Sequence, residues 1–269
     1  MGNFFDTHAH LDFPDFAPDL AEVIARAADD GITRINSIGT DLDSSRRAIA
    51  IADRFENVFA TVGWHPTHVM EAPGDIRAEL RELAQHPKVI AIGETGLDYY
   101  RLPSAQPGGT VEQDNNYKRK QAQVFQQQLE VAAELGLNCV IHQRSALEDT
   151  LAAMQPFAGR VRGQFHCFVD DAASMKRVVA LGSIVSFTGI LTFKSAQLIR
   201  DTLNATPLGE FMLETDCPYL APVPYRGKRC EPAYVKDLAV AVAQVKGCSL
   251  DELSAATCKT AREFFPRLG

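Results

Sequence analysis

Asp6-Thr7-His8-Ala9-His10 stands near the start of the chain, directly after the apolar pair Phe4-Phe5. In an extended segment, residues two apart share a face. His8 and His10 therefore present paired imidazoles, with Asp6 expected on the same side. Imidazole is the commonest side-chain metal ligand near neutral pH. Further donors follow other apolar runs: Glu94 after Val89-Ile90-Ala91-Ile92-Gly93, His142 after Cys139-Val140-Ile141, and His166 and Asp216 after two more. A carboxylate ending an apolar strand is costly to bury unpaired, which marks Glu94 and Asp216 as functional. Four imidazoles and two carboxylates exceed what one four-coordinate zinc with an open position uses. The set suits two divalent ions about 3.5–4 Å apart, bridged by a carboxylate and a water. Such a pair lowers the pKa of that water and clamps the oxygens of a displacement at phosphorus or carbon. Imidazole and carboxylate accept Zn, Mn, Fe or Co, with Mg less natural.

Roles follow from chemistry. Asp216 is the expected general base, taking the proton of the attacking water. His65, ahead of Pro66, is a second donor, a substrate contact or a reserve base. Asp98 is expected to orient its neighbours, Glu214 to be a satisfied interior carboxylate, and Asp6 to support the histidine pair from below. Arg226-Gly227-Lys228-Arg229 puts three cations in a proline-rich loop after Asp216. Three cations beside a metal centre suit phosphate positioning. Arg144, two residues past His142, is placed to fork onto a phosphate. Cys167, beside His166, is expected on the far face of a strand.

The elements that must position these groups alternate. Short β-branched runs at 3–7, 33–38, 58–62, 89–93, 138–141, 162–166, 183–186 and 211–214 read as strands. Helical periods fall between them at 18–30, 44–54, 72–85, 117–135, 145–155, 171–181 and 195–203, then 232–245 and 250–265. Eight βα units predict a parallel sheet closed into a (β/α)8 TIM barrel, one α/β domain over 1–269. An open doubly wound sheet is less favoured, since no G-x-G-x-x-G follows the first strand. In a barrel, chemistry sits at the C-terminal strand ends, and five of the seven histidines fall there. Residues 102–116 read as a surface loop.

The 269 residues carry a net charge of −7 and 46% hydrophobic side chains. That balance argues against a broad basic surface for gripping duplex nucleic acid. It leaves room for a phosphate substrate, because bound ions supply positive charge locally. No basic segment leads into an apolar run, no stretch approaches a membrane span, and the six cysteines form no C-x-x-C pair. Reduced thiols in a cytoplasmic protein are the expectation.

Taken together, Asp6-Thr7-His8-Ala9-His10-Leu11-Asp12, Gly93-Glu94-Thr95-Gly96-Leu97-Asp98-Tyr99-Tyr100, His142-Gln143-Arg144, His166-Cys167-Phe168 and Glu214-Thr215-Asp216-Cys217-Pro218-Tyr219-Leu220-Ala221-Pro222 resemble the TatD family of metal-dependent hydrolases. The resemblance runs from residue 3 to about residue 265. Gly189-Ile190-Leu191-Thr192-Phe193-Lys194, with Val223-Pro224-Tyr225-Arg226-Gly227-Lys228, looks like the YcfH-type branch. It implies a TIM barrel of the amidohydrolase superfamily, DNase-type phosphodiester hydrolysis, and ligands at His8, His10, Glu94, His142, His166 and Asp216, with Glu94 bridging. Departures from the family pattern are Cys230, Thr260, Val169-Asp170 and a longer 102–116 segment. They bear on substrate choice, not on the ligands. DNA or another phosphodiester is thus the expected substrate. An amidohydrolase acting on a C–N or ester bond, and a non-catalytic protein binding metal and nucleic acid, are the alternatives.

Overall fold

A computed structural model describes residues 2–268. The eight apolar runs form β1 (Phe4–Ala9), β2 (Ile32–Ile38), β3 (Val58–Val62), β4 (Val89–Asp98), β5 (Asn138–Arg144), β6 (Gly163–Phe165), β7 (Ile184–Phe187) and β8 (Phe211–Leu213). They pair in parallel in chain order. Parallel neighbours need crossovers, which are supplied by α1 (Leu20–Asp29), α2 (Leu42–Arg54), α3 (Arg77–Ala84), α4 (Val111–Leu135), α5 (Leu147–Met154), α6 (Ala172–Ala180) and α7 (Gln197–Ala205). After β8 come α8 (Val235–Lys246) and α9 (Leu250–Phe264). The ring closes just past the end of β8. Asp216 N–H donates to His8 O and His10 N–H to Cys217 O, both at 2.9 Å. The chain is a (β/α)8 barrel.

The helices start where side chains can cap them. Asp41 with Ser44, Thr110 with Gln113, and Ser249 with Glu252 each form a reciprocal capping box. The Thr110 box corrects the loop expected at 102–116. Helix α4 begins at Val111, and Asp114 within it accepts from Ser104 N (2.8 Å) and Ser104 Oγ (2.6 Å). The T-x-x-Q spacing was the sequence signal for this earlier start.

Inside the barrel, Phe5, Ile90, Val140, Ile184 and Met212 form an apolar floor with Phe264, Phe265 and Leu268 of the C-terminal segment. Helix α9 therefore plugs the N-terminal end. Thr260 lies there, bonded to Ala256 O within the helix (2.9 Å), away from the donor groups. Above the floor is a polar layer. Gln164 Nε2 donates to Thr7 Oγ1, Ser186 Oγ and Glu214 Oε2 at 2.8–3.0 Å. Among the described residues, no helix is long and apolar enough to cross a membrane.

Two strands depart from regular alternation where the donors stand. Between Asp6 and Ala9, β1 advances three residues while β2 advances two. Strand β4 does the same against β5 between Ile92 and Thr95. Such bulges re-aim side chains. The first turns Asp6 away from the face shared by His8 and His10, against the alternation expected. The second brings Glu94 inward although β4 continues to Asp98. Glycine is required beside it. A Cβ on Gly93 (φ +147°) would lie 2.6 Å from Val140 O, and one on Gly96 (φ +135°) 2.0 Å from His142 O. This close approach sets Glu94 against His142.

Candidate metal centre

The six residues expected as ligands meet at the C-terminal mouth of the barrel. Glu94, 2% exposed, divides them by its two oxygens. Its Oε2 faces His8 Nε2 (3.4 Å) and His10 Nε2 (3.6 Å). Its Oε1 faces His166 Nε2 (2.9 Å) and His142 Nδ1 (3.0 Å). Asp216 Oδ1 completes the first group, 3.4 Å from His10 Nε2 and 3.6 Å from His8 Nε2. Three overlapping triads gather groups of metal-ligand type, His8–His10–Asp216, His8–Glu94–His166 and His65–Glu94–His142, the last only where His65 Nε2 has given up its proton. The Nε2 atoms of His8 and His10 face each other at 3.3 Å. Lone pairs converging in this way fit a cation between them, and the donor set is one that binds divalent metals.

Ring nitrogens turned away from the centre decide which lone pair is presented. His142 Nε2 lies 2.9 Å from Asp98 Oδ2, which leaves Nδ1 for the centre. Asp98 thus orients a histidine, as expected of it. His10 Nδ1 lies 3.2 Å from Ile38 O, which frees Nε2. His65 is set the other way. Its Nδ1 accepts from Thr67 N–H (3.1 Å), so the neutral ring carries its proton on Nε2. That atom lies 3.2 Å from Glu94 Oε1. His65 therefore turns an N–H donor toward the centre. His8 Nδ1 and His166 Nδ1 are buried without a partner among the described residues.

Beneath the centre, Asp6 accepts from Thr215 N (2.9 Å), Thr215 Oγ1 (2.6 Å) and His8 N (3.3 Å). It ties the backbone of one ligand strand to the residue before Asp216. Asp216 sits in the left-handed region (φ 58°), which a short polar residue tolerates. Burial pushes Asp6 up to about 8 and Glu214 up to about 7. Glu214 accepts from Cys167 N (2.6 Å) and Ser186 Oγ (2.7 Å), the satisfied interior carboxylate expected. Cys167 does not lie on a strand, as alternation had suggested. Strand β6 stops at Phe165, and Cys167 turns at φ 46° to put its thiol 3.7 Å from Thr188 Oγ1. Burial and nearby carboxylates hold that thiol neutral.

Charge in the metal-free centre is balanced by protons. Burial disfavours protonation of His10 and His142. Asp216 and Glu94 around the first, and Asp98 and Glu94 around the second, outweigh it and hold both at about 9. Burial wins at His8 and His65, which fall to about 4. Glu94 and Asp216 stay ionised despite burial because imidazoles surround them. A cation must therefore displace protons from His10 and His142 at any pH below about 9. Metal loading at pH 7 is expected to release protons, and affinity to rise with pH and level off above about 9. Calorimetry in buffers of differing ionisation heat reads this directly. A loading heat independent of buffer would refute it.

The basic residues separate. Arg226 is exposed, its guanidinium 4.4 Å over the Phe193 ring, and Lys228 is also exposed. Arg144 lies 3.7 Å over the Tyr100 ring. Arg229 contradicts its expected place among the phosphate-binding cations. It donates to both Asp19 oxygens at 2.7 Å, to Glu231 Oε1 at 2.8 Å and to Asp15 O at 2.6 Å. Two carboxylates neutralise it, so it braces the loop against the α1 end. Cys230 next to it is buried and donates N–H to Pro218 O (2.9 Å).

A (β/α)8 barrel with imidazoles and carboxylates gathered at its C-terminal mouth defines a metal-dependent hydrolase. The family model described as TatD related DNase matches residues 5–266, and the chain belongs to that family. It is 36% identical to the uncharacterized metal-dependent hydrolase YabD of Bacillus subtilis, over 97% of this chain and 98% of that one. It is 33% identical to the 3′-5′ ssDNA/RNA exonuclease TatD of Erwinia amylovora, over 97% and 99%. The crystal structure of YJJV, a TatD homolog from Escherichia coli K12, superposes with a TM-score of 0.87 at 25% identity, covering 98% of both chains.

Proposed function

We propose that this protein is a two-ion phosphodiesterase acting on nucleic acid strands, DNA foremost, with the whole chain 1–269 working as one barrel domain. The observation that carries the reading is the division of donors by the two oxygens of Glu94. His8, His10 and Asp216 would hold one ion with Oε2. His142 and His166 would hold the second with Oε1. When bound, such a pair lowers the pKa of a coordinated water and offsets charge on phosphoryl oxygens. Zn, Mn, Fe and Co suit these donors better than Mg. Asp216, ionised and at the edge of its group, takes the proton of the attacking water. His65 offers its Nε2 proton to a phosphoryl or leaving oxygen. Arg226, Lys228 and Arg144 supply exposed cations for flanking phosphates. Six cysteines without a disulfide support a cytoplasmic setting.

The deciding experiment is a turnover screen of metal-replete protein against single-stranded DNA, RNA, a simple phosphodiester and an amide panel. Phosphodiester turnover abolished by chelator is expected. Turnover of amides alone would replace this reading with an amidohydrolase, whose chemistry the same ions could serve.

The basic loop gives a paired test. Arg226→Ala should weaken strand binding and shallow the salt dependence by about one phosphate's contribution. Arg229→Ala should lower the thermal midpoint and leave the salt slope alone. Equal salt slopes for Arg226→Ala and wild type would make Arg226 ordinary solvated surface.

A further inference from the structure

Among the described residues, nine large hydrophobic side chains stay exposed, and all but Val240 and Leu250 lie in segments that follow strand C-termini. Exposed apolar area in a soluble domain marks a contact surface when it is concentrated. Here seven of the nine lie on the side of the barrel that carries the metal centre, and the two aromatic members among them are placed with respect to the chemistry. Tyr219, 56% exposed, follows Asp216 by three residues and donates its N–H to Asp216 O (3.0 Å). Its ring meets Phe13 edge-on at 6.2 Å, and Phe13 stacks on the ligand His10 at 4.7 Å. Tyr100, 53% exposed, donates its N–H to Asp98 (2.9 Å), the residue that orients His142. The Arg144 guanidinium lies 3.7 Å over its ring, which steadies the ring. Tyr219 follows β8 and Tyr100 follows β4, four strands apart in a ring of eight. The two tyrosines therefore stand on opposite walls, one beside each half of the donor set.

We propose that Tyr219 with Phe13, and Tyr100 with Arg144, are two nucleobase platforms flanking the scissile phosphate. The proposal rests on the phosphodiesterase reading and adds how the strand is recognised. A phosphodiester joins two nucleosides, and one platform is available to each base. Stacking on an aromatic face or an Arg plane needs a base whose own face is free. Bases in a duplex are already stacked, so the platforms select unpaired strands and ends. Every base has a π-face, so they tolerate any sequence. Stacking does not read the 2′-hydroxyl, so DNA and RNA are both admitted.

An abasic walk tests this. Ten-residue thymidine strands are made with one position at a time replaced by an abasic sugar. KM is measured for each, together with Kd by fluorescence anisotropy in an Asp216→Asn background. In wild type, two adjacent positions should be sensitive, each worth roughly fivefold or more. Tyr219→Ala should remove the sensitivity at one of them and Tyr100→Ala at the other. Tyr219→Phe, which keeps the ring, should retain it, whereas a misfolded loop would not discriminate between positions. Sensitivity absent from wild type, or unchanged in both alanine variants, overturns the proposal. Wild-type protein that cleaved none of the strands would sink the phosphodiesterase reading. The position-dependent part of Kd would still decide the platforms.

Discussion

Asp216→Asn should lower phosphodiester turnover by about 10²–10⁴-fold while metal still binds, the range that a positioned general base contributes. The substitution keeps shape and one oxygen, and it removes the basic lone pair. Asp216 Oδ1 lies 3.4 Å from His10 Nε2 and 3.6 Å from His8 Nε2, so it belongs to one donor group only. Its N–H to His8 O bond is made by the backbone and survives the change. The imidazoles that keep the carboxylate ionised are the reason it is ready as a base near neutral pH. The loss should fall on kcat, measured at saturating metal, with metal content checked by elemental analysis. Near-full turnover in this variant would remove Asp216 from the base role and pass it to His65, whose Nδ1 must then give up the Thr67 N–H.

Glu94→Gln should act differently, through occupancy. Glu94 alone serves both groups, with Oε1 2.9–3.2 Å from the imidazoles of His166, His142 and His65 and Oε2 3.4–3.6 Å from those of His8 and His10. A glutamine offers one oxygen and turns an NH2 toward the other group. One ion should bind more weakly by more than the 10–100-fold typical of losing an outer partner, and the protein should pass from two ions to one. Activity should fall with the second ion and recover only partly at high metal. Elemental analysis across a metal titration, with anomalous scattering to place what remains, reads both steps. Two ions held as tightly as in wild type would show that Glu94 does not bridge.

Much of this was legible before folding. Apolar β-branched runs alternating with helical periods specify eight βα units, and a parallel sheet of that length closes. Once it closes, strand ends become neighbours, which is why His8, His10, Glu94, His142, His166 and Asp216 could be named from their positions after apolar runs. Their types carry the metal chemistry directly, because four imidazoles and two carboxylates have no cheaper reason to be buried together. Asp98 and Glu214 read as supporting carboxylates rather than ligands, and their contacts with His142 and with Cys167 and Ser186 agree with that. The start of α4 was also present, in Thr110 and Gln113.

What alternation alone could not say is where it breaks. The bulges in β1 and β4 depend on how neighbouring strands register, and they turn Asp6 away and Glu94 inward. Cys167 left its strand because β6 is only three residues long, a length set by pairing with β5 and β7. Partner choice was equally invisible. Arg229 reads as a third free cation in sequence, but Asp19 and Glu231 arrive from distant segments and neutralise it. His65 and His142 both carry the proton on Nε2, yet Thr67 turns that N–H of His65 to the centre while Asp98 draws the N–H of His142 away and leaves its Nδ1 lone pair facing in. Residue type and local period determine which elements form and which donors they carry. Charge pairing, tautomer and the aim of a side chain are energies between segments far apart in the chain, so only the closed barrel decides them.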